Sequence, residues 1–340
     1  MLSRVYRLIF LAGLAVQPLI YSELARVEWI QRWIEAVVVL GLTAFVSQPK
    51  KQKISLIVVI LPLLFLLATV SSSLINGVWP HSLWGNYWRG DGLLTLIHFI
   101  ALLLILKLMP IRPSEILRAI GAGSLLLSLW VLWENIRLLI GHQAVPNWHG
   151  VIGVSFNQPV FLAGYLAVTL PAVSGFWRII PVLAIILTRV WGGYLGIFLL
   201  AARKTPRLAG GLILLVMLAA LVGKIGHYLE SGLWAKNAEA RERIVMKGLL
   251  AWKQKPLLGW GWANFVYVDK AHSGLLEVLV TTGIVGFGFY LAIIGLMLKR
   301  LSGNFLLMLV IWLVHSQTNV ISISEELLFW ILLGVANERA

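Results

Sequence analysis

The chain has no cysteine. Disulfide frameworks and thiolate chemistry are therefore closed to it, and cysteine usage leaves the redox compartment unmarked. Charge is scarce as well. Only 12% of its 340 residues are Asp, Glu, Lys or Arg, against about 25% in soluble domains. Acids are the scarcer sign, 14 against 28 bases. They do not group as hard-cation ligands, and the seven histidines never stand in a His-x-x-x-His spacing, so a metal-site signature is missing. There is no Walker loop and no GxGxxG after a strand, which leaves a nucleotide without a phosphate cradle. No repeat of about 20–50 residues is present either, which excludes a solenoid.

What fills the chain is apolar. Hydrophobic residues make up 59% of it, and the mean hydropathy is +0.88. This composition predicts an all-α, polytopic integral membrane protein, with residues 1–340 forming one domain. Apolar runs place about twelve spans, at 5–21, 29–46, 54–74, 91–109, 115–139, 158–175, 178–188, 190–202, 208–226, 273–298, 304–318 and 322–336. The short pair at 178–188 and 190–202 reads as broken half-helices packed inside the protein, or as one bent element. The first run follows Arg4 and Arg7 like a signal peptide but lacks a small-residue cleavage site, so an uncleaved helix is expected.

Basic clusters then orient the map. Arg4/Arg7, Lys50/Lys51/Lys53, Lys107/Arg112/Arg118, Arg203/Lys204/Arg207 and Lys299/Arg300 all fall on one side, cytoplasmic by the positive-inside rule, and both termini go with them. That bias also accounts for the net charge of +14 without nucleic acid as a partner. The opposite side carries 71–90, 140–157 and a large loop at 227–272, rich in the tryptophans of an interfacial belt (Trp79, Trp84, Trp88, Trp148, Trp234, Trp252, Trp260, Trp262). The large loop breaks the rule, because it is basic too. Lys236, Arg241, Arg243, Lys247, Lys253, Lys255 and Lys270 on a non-cytoplasmic face call for an anion, either lipid headgroups or a phosphorylated substrate.

Within that loop, Ile244, Val245, Gly248, Leu249 and Trp252 recur at helical spacing between Arg241 and Lys255, predicting an amphipathic surface helix ended by Pro256. Asp269 is placed to cap the helix that follows. His272, beside it, is the best general base on this side, because imidazole titrates near neutral pH; a hydrogen-bonded boundary residue is its plainer role. Arg189, between the two short spans, is an expensive membrane-edge charge and hence a functional candidate. Arg89 with Asp91, and Glu134 with Arg137, are spaced for local ion pairs.

At these residues the chain resembles the O-antigen ligase and O-antigen polymerase superfamily of bacterial membrane glycosyltransferases. PLLGWGWANF (256–265) and DKAHSGLLEVLVTTGIVGFGFY (269–290) are similar to the family's Pro-Leu-Leu-Gly-x-Gly segment and its His-Asn helix start. WGNYWRGDGLLT (84–95) resembles its first outer loop, SFNQPVFLAGYLAVTLP (155–171) its Gly-Asn-Pro-Asn-Phe-Leu-Ala segment, and LTRVWGGYLG (187–196) its Ser-Arg-Gly segment. Ser273 stands where the family usually has Asn, and Val190 and Trp191 replace small residues.

The resemblance implies a metal- and cofactor-independent transfer of a glycan from a polyprenyl-pyrophosphate carrier to the hydroxyl of a lipid- or protein-linked acceptor. It would take place on the extracytoplasmic face of the plasma membrane, among membrane lipids. Carried over by motif, Arg189, Arg241 and His272 are the implied catalytic residues. Arg243, Arg89 and Asp269 are implied to bind the pyrophosphate or the glycan. A repeat-unit polymerase or a protein O-oligosaccharyltransferase would use similar parts. A lipid or glycan transporter is the alternative from another class, but transporters place their polar groups at midplane rather than at one face.

Overall fold

The structure is a computed structural model describing residues 1–47, 55–86, 89–141, 147–148, 151–204, 233–265, 270–317 and 319–336. In chain order the helices are α1 (Leu2–Val16), α2 (Glu23–Ser47), α3 (Leu56–Ile75), α4 (Trp79–Trp84), α5 (Leu93–Leu108), α6 (Pro113–Leu139), α7 (Pro159–Thr169), α8 (Ile179–Leu187), α9 (Trp191–Lys204), α10 (Leu233–Gln254), α11 (Gly274–Arg300), α12 (Gly303–Ser316) and α13 (Ile323–Val335). A two-residue antiparallel ribbon, β1 (Asn147–Trp148) with β2 (Val151–Ile152), is the only strand pairing among the described residues. The all-α expectation holds. Each expected span falls on a helix, save 208–226, which lies outside the described residues.

Five helical segments are long and apolar enough to cross a bilayer: Leu2–Leu19, Leu24–Ser47, Leu56–Ile75, Pro113–Leu139 and Gly274–Arg300. Their apolar windows are only 33% to 50% buried against the rest of the protein. A soluble helix turns its apolar stripe inward and a polar face outward. Here the outward faces are apolar too: Ile60, Leu63 and Leu67 on α3, and Ile284, Leu291 and Leu298 on α11, are all exposed. Such surfaces suit hydrocarbon rather than water.

Polar contacts gather at the two ends of the bundle. At one end the Arg7 guanidinium pairs with Glu115. There Tyr6 OH donates to Met109 O at 3.1 Å, Lys107 Nζ to Ala336 O at 2.9 Å, and Arg300 Nη2 to Ser55 Oγ at 2.9 Å. The other end holds the connections after α1, α3, α8, α10 and α12. There the buried Arg26 donates to Ile20 O and Ser155 O while stacking on Phe156, tying α1, α2 and the start of α7 together.

α8 and α9 are two separate helices, not one bent element. They join through a turn at Arg189 (φ 55), and Tyr194 OH on α9 reaches back to Ile186 O on α8. In the bundle interior His315 Nδ1, on α12, lies 2.9 Å from Glu325 Oε1, on α13, with both side chains buried. Gly164 on α7 and Gly192 on α9 make room for the pair, since a Cβ at either would sit 2.2 or 2.6 Å from the imidazole.

Candidate active site

α11 is broken. At Gly283 the backbone leaves the helix (φ 65, ψ −170), a region open essentially to glycine alone. A helix interrupted within an apolar layer needs other partners for its freed amides and carbonyls. The turn after α10 supplies them. Trp260 N donates to Val280 O at 3.0 Å and Gly261 N to Thr281 O at 2.9 Å, while Ile284 N donates to Pro256 O at 2.8 Å. Ser72 Oγ on α3 also donates to Thr281 O, and Asn76 Nδ2 to Gly259 O.

Three of the tryptophans expected in an interfacial belt, Trp252, Trp260 and Trp262, are hydrogen-bonded into this joint, while Trp84 is exposed. Trp262 Nε1 donates to Asp91 O at 2.8 Å, Trp260 Nε1 to Ala251 O at 2.9 Å and Trp252 Nε1 to Pro256 O at 3.2 Å. α10 packs Gly248 and Ala251 on Leu276 and Val280 of α11. Its exposed face mixes Lys247 and Lys253 with Val245, Met246 and Leu250. The expected amphipathic helix is therefore present, longer than the interval that predicted it, with Val245 turned outward.

Beside the joint lies a cavity of about 90 Å³. Its walls come from α3, the 89–92 loop, α5, the Trp262 turn, the 270–273 loop, α11 and α13. Asp91 Oδ2 meets Lys270 Nζ at 2.7 Å, and Asp91 Oδ1 accepts from Asn86 N at 2.7 Å. The Asp91 ion pair thus reaches across the fold rather than along its own loop. Lys270 also meets Glu277 Oε1 at 3.2 Å, and Glu277 Oε2 accepts from Ala271 N at 2.8 Å. Burial works against the charged ammonium, but the Glu277 and Asp91 carboxylates outweigh it and hold the Lys270 pKa above the ordinary lysine value.

The loop so clamped carries His272, which lines the cavity with a left-handed backbone (φ 53). Non-glycine residues rarely adopt that conformation, and they cluster where surrounding structure imposes it, often at functional sites. Arg189 (φ 55) and the cavity residue Ala263 (φ 56) share it. Ser273, not Asp269, caps α11: its Oγ accepts from Leu276 N and donates to Gln317 Oε1 at 2.9 Å. A shorter side chain at the residue immediately before the helix reaches the first-turn amides directly. Asp269 itself lies outside the described residues.

Of the residues singled out from sequence, His272 and Arg89 line the cavity together. Arg189 is exposed on the α8–α9 turn, at the same end of the bundle. Three residues on, Gly192 packs against Asn319, which is a cavity residue. Arg243 is exposed on α10, and Arg241 lies on the same helix, described in its backbone alone. The local Glu134–Arg137 pair forms as expected, at 3.1 Å.

The sequence marks Lys270 only as one of the basic residues of the large loop, and Glu277 and Glu326 were not singled out from it. For the last the signal was present: an acidic pair inside the apolar run ISISEELLFWILLGV is costly in a membrane and marks function by default. Among the described residues, no three His, Asp or Glu side chains come together as a metal-binding group. No protein-family model matches the chain, and no curated protein matches it.

Proposed function

We propose that the protein is a membrane glycosyltransferase. On this reading it moves a glycan from a polyprenyl-diphosphate carrier to an acceptor hydroxyl, at the bundle end that carries His272. The reading is supported chiefly by one observation: His272 stands in a left-handed conformation on a loop clamped by Lys270, Ala271 and Ser273, facing a polar cavity in an otherwise apolar bundle. Clamping of this kind holds a general base in position before substrate arrives.

His272 takes the acceptor's proton, the freed oxygen attacks the anomeric carbon, and the bond from that carbon to the diphosphate oxygen breaks. The departing diphosphate needs positive charge, and Arg189, Arg241 and Arg243 are the arginines whose planar forks suit its oxygens. Arg89 reaches the same centre from the cavity side. The end bearing these groups faces away from the cytoplasm, in keeping with the basic clusters at the opposite end. Ligase, polymerase and protein O-oligosaccharyltransferase variants share this chemistry.

The test is product analysis. Purified protein in lipid nanodiscs is incubated with a polyprenyl-diphosphate oligosaccharide and a panel of lipid-, glycan- and peptide-linked hydroxyl acceptors. A mass gain on one acceptor equal to the glycan, with release of polyprenyl diphosphate, is the expected outcome. Release without any glycosylated acceptor, or no consumption of donor, contradicts the reading.

A further inference from the structure

One of the long spans is not apolar on its outer face. Along α3 and α11 the exposed side chains are apolar, or glycine, until the last turn. On α2 they include Glu28, Arg32 and Glu35, followed by Val39, Leu42 and Val46. Arg32 Nη1 meets Glu35 Oε2 at 3.3 Å, and His98 Nε2 on α5 meets Glu35 Oε1 at 3.3 Å. The Arg32 side chain is 82% exposed and that of Glu35 48%.

This cluster does not lie at an end of the bundle. His98 precedes Lys107 on α5 by nine residues, about 14 Å at the helical rise. Lys107 belongs to the polar layer at the end that holds Arg7, Glu115 and Arg300, where it donates to Ala336 O. In a hydrocarbon layer about 30 Å thick, His98 and Glu35 are therefore near the middle. Ionisable groups at that depth are costly against lipid, and as a rule they face protein or a water-filled cavity. An arginine can snorkel toward the interface, but a glutamate and a histidine are too short to follow it.

The stripe also fits one kind of cover. Glu28, Arg32, Glu35, Val39, Leu42 and Val46 alternate spacings of four and three, the period of a coiled-coil seam. Arg32 has an acid one turn away on either side. Insertion in one membrane holds two copies of the chain parallel, and a two-fold axis along the membrane normal brings equal levels together. Arg32 of each copy then stands within one turn of the opposite acids, and the valines and the leucine complete the seam. The face is thus complementary to itself. We propose that α2 is the contact surface for a second copy of this chain, in a parallel two-fold dimer with Arg32 paired across the seam to Glu28 and Glu35. The dimer does not depend on the transferase reading.

The lack of cysteine makes the test direct. Val39→Cys and Leu42→Cys, made separately in the full-length chain, are oxidised in native membranes, with Leu63→Cys on the exposed face of α3 for comparison. A product of twice the chain mass is expected from the α2 positions, at about tenfold the yield from Leu63→Cys, because only cysteines brought close can bridge. Arg32→Glu sets three acids against three and is expected to lower the Leu42→Cys yield about tenfold. Glu28→Arg/Glu35→Arg does the same with three cations. Coexpressing the two charge variants, each with Leu42→Cys, is expected to restore the product, since opposite charges then meet. Should a reversal fail to insert, Arg32→Gln removes the pairing without adding charge and is expected to lower the yield as well. A chain that keeps its own mass at both α2 positions, or an equal yield from Leu63→Cys, overturns the proposal. So does a cross-link to a protein of another mass, a yield unmoved by Arg32→Glu, or a loss in two inserted variants that coexpression leaves unrepaired.

Discussion

Lys270 shows how a charge is held at the edge of an apolar bundle. Its ammonium sits between Asp91 and Glu277, and removing it leaves two carboxylates without their counter-ion. Lys270→Met is therefore expected to lower stability by about 3–5 kcal/mol, the range for breaking a buried pair from one side, read as a drop in the unfolding midpoint. Its pH dependence has a defined sign. Because the folded pKa is raised, the stabilisation is fully present below the unfolded lysine value of about 10.4 and is lost as pH rises through the folded one. Unfolding midpoints that respond to this group between about pH 7 and pH 9 would contradict the assigned pairing. His272 is a different kind of residue, exposed to the cavity and packed in neither apolar core cluster. His272→Ala is expected to leave the unfolding midpoint near wild type while lowering transfer about 10²–10⁴-fold, the range for a lost general base.

Among the elements, the joint between α11 and the Gly/Trp turn depends on two glycines. A Cβ at Gly283 would lie 2.2 Å from Leu257 O, and one at Gly259 would lie 2.5 Å from Val280 O; both are backbone atoms that cannot step aside. Gly283→Ala and Gly259→Ala are each expected to destabilise by more than the ~1–3 kcal/mol of backbone strain alone. Thermal unfolding checks this, and a midpoint within a degree or two of wild type would count against the interlock. The α12–α13 junction makes a second case: Glu325→Ala removes the capping box and the buried carboxylate facing His315, so a loss of about 3–5 kcal/mol is expected there as well.

The two junctions were not equally legible. The capping box at Ser322–Glu325 is a local signal that sequence carries openly. The break in α11 was hidden, because a glycine inside an apolar run reads as tolerated helix and its partners arrive from Pro256–Gly261, some twenty residues earlier. For the same reason Asp91 was matched with its neighbour Arg89, while its partner Lys270 comes from the far end of the chain. Local rules find local pairs.

For the whole molecule, the helical layout was readable because apolar runs of span length leave the chain few alternatives. Convergence was less so. His272, Arg89 and the Trp262 turn meet at one cavity, but LTRVWGGYLG and SFNQPVFLAGYLAVTLP contribute no lining residue to it. Their place at the same end of the bundle emerges only through contacts such as Gly192 against Asn319. We propose that this end of the bundle transfers a glycan from a lipid diphosphate by base catalysis at His272. The most direct measurement is transfer by nanodisc-embedded wild type and His272→Ala, in excess chelator, with polyprenyl-diphosphate glycan and an acceptor hydroxyl. Wild type is expected to glycosylate the acceptor, and His272→Ala, equally folded, to do so at least about a hundredfold more slowly. Equal rates in the two proteins, or no transfer by wild type, would contradict it.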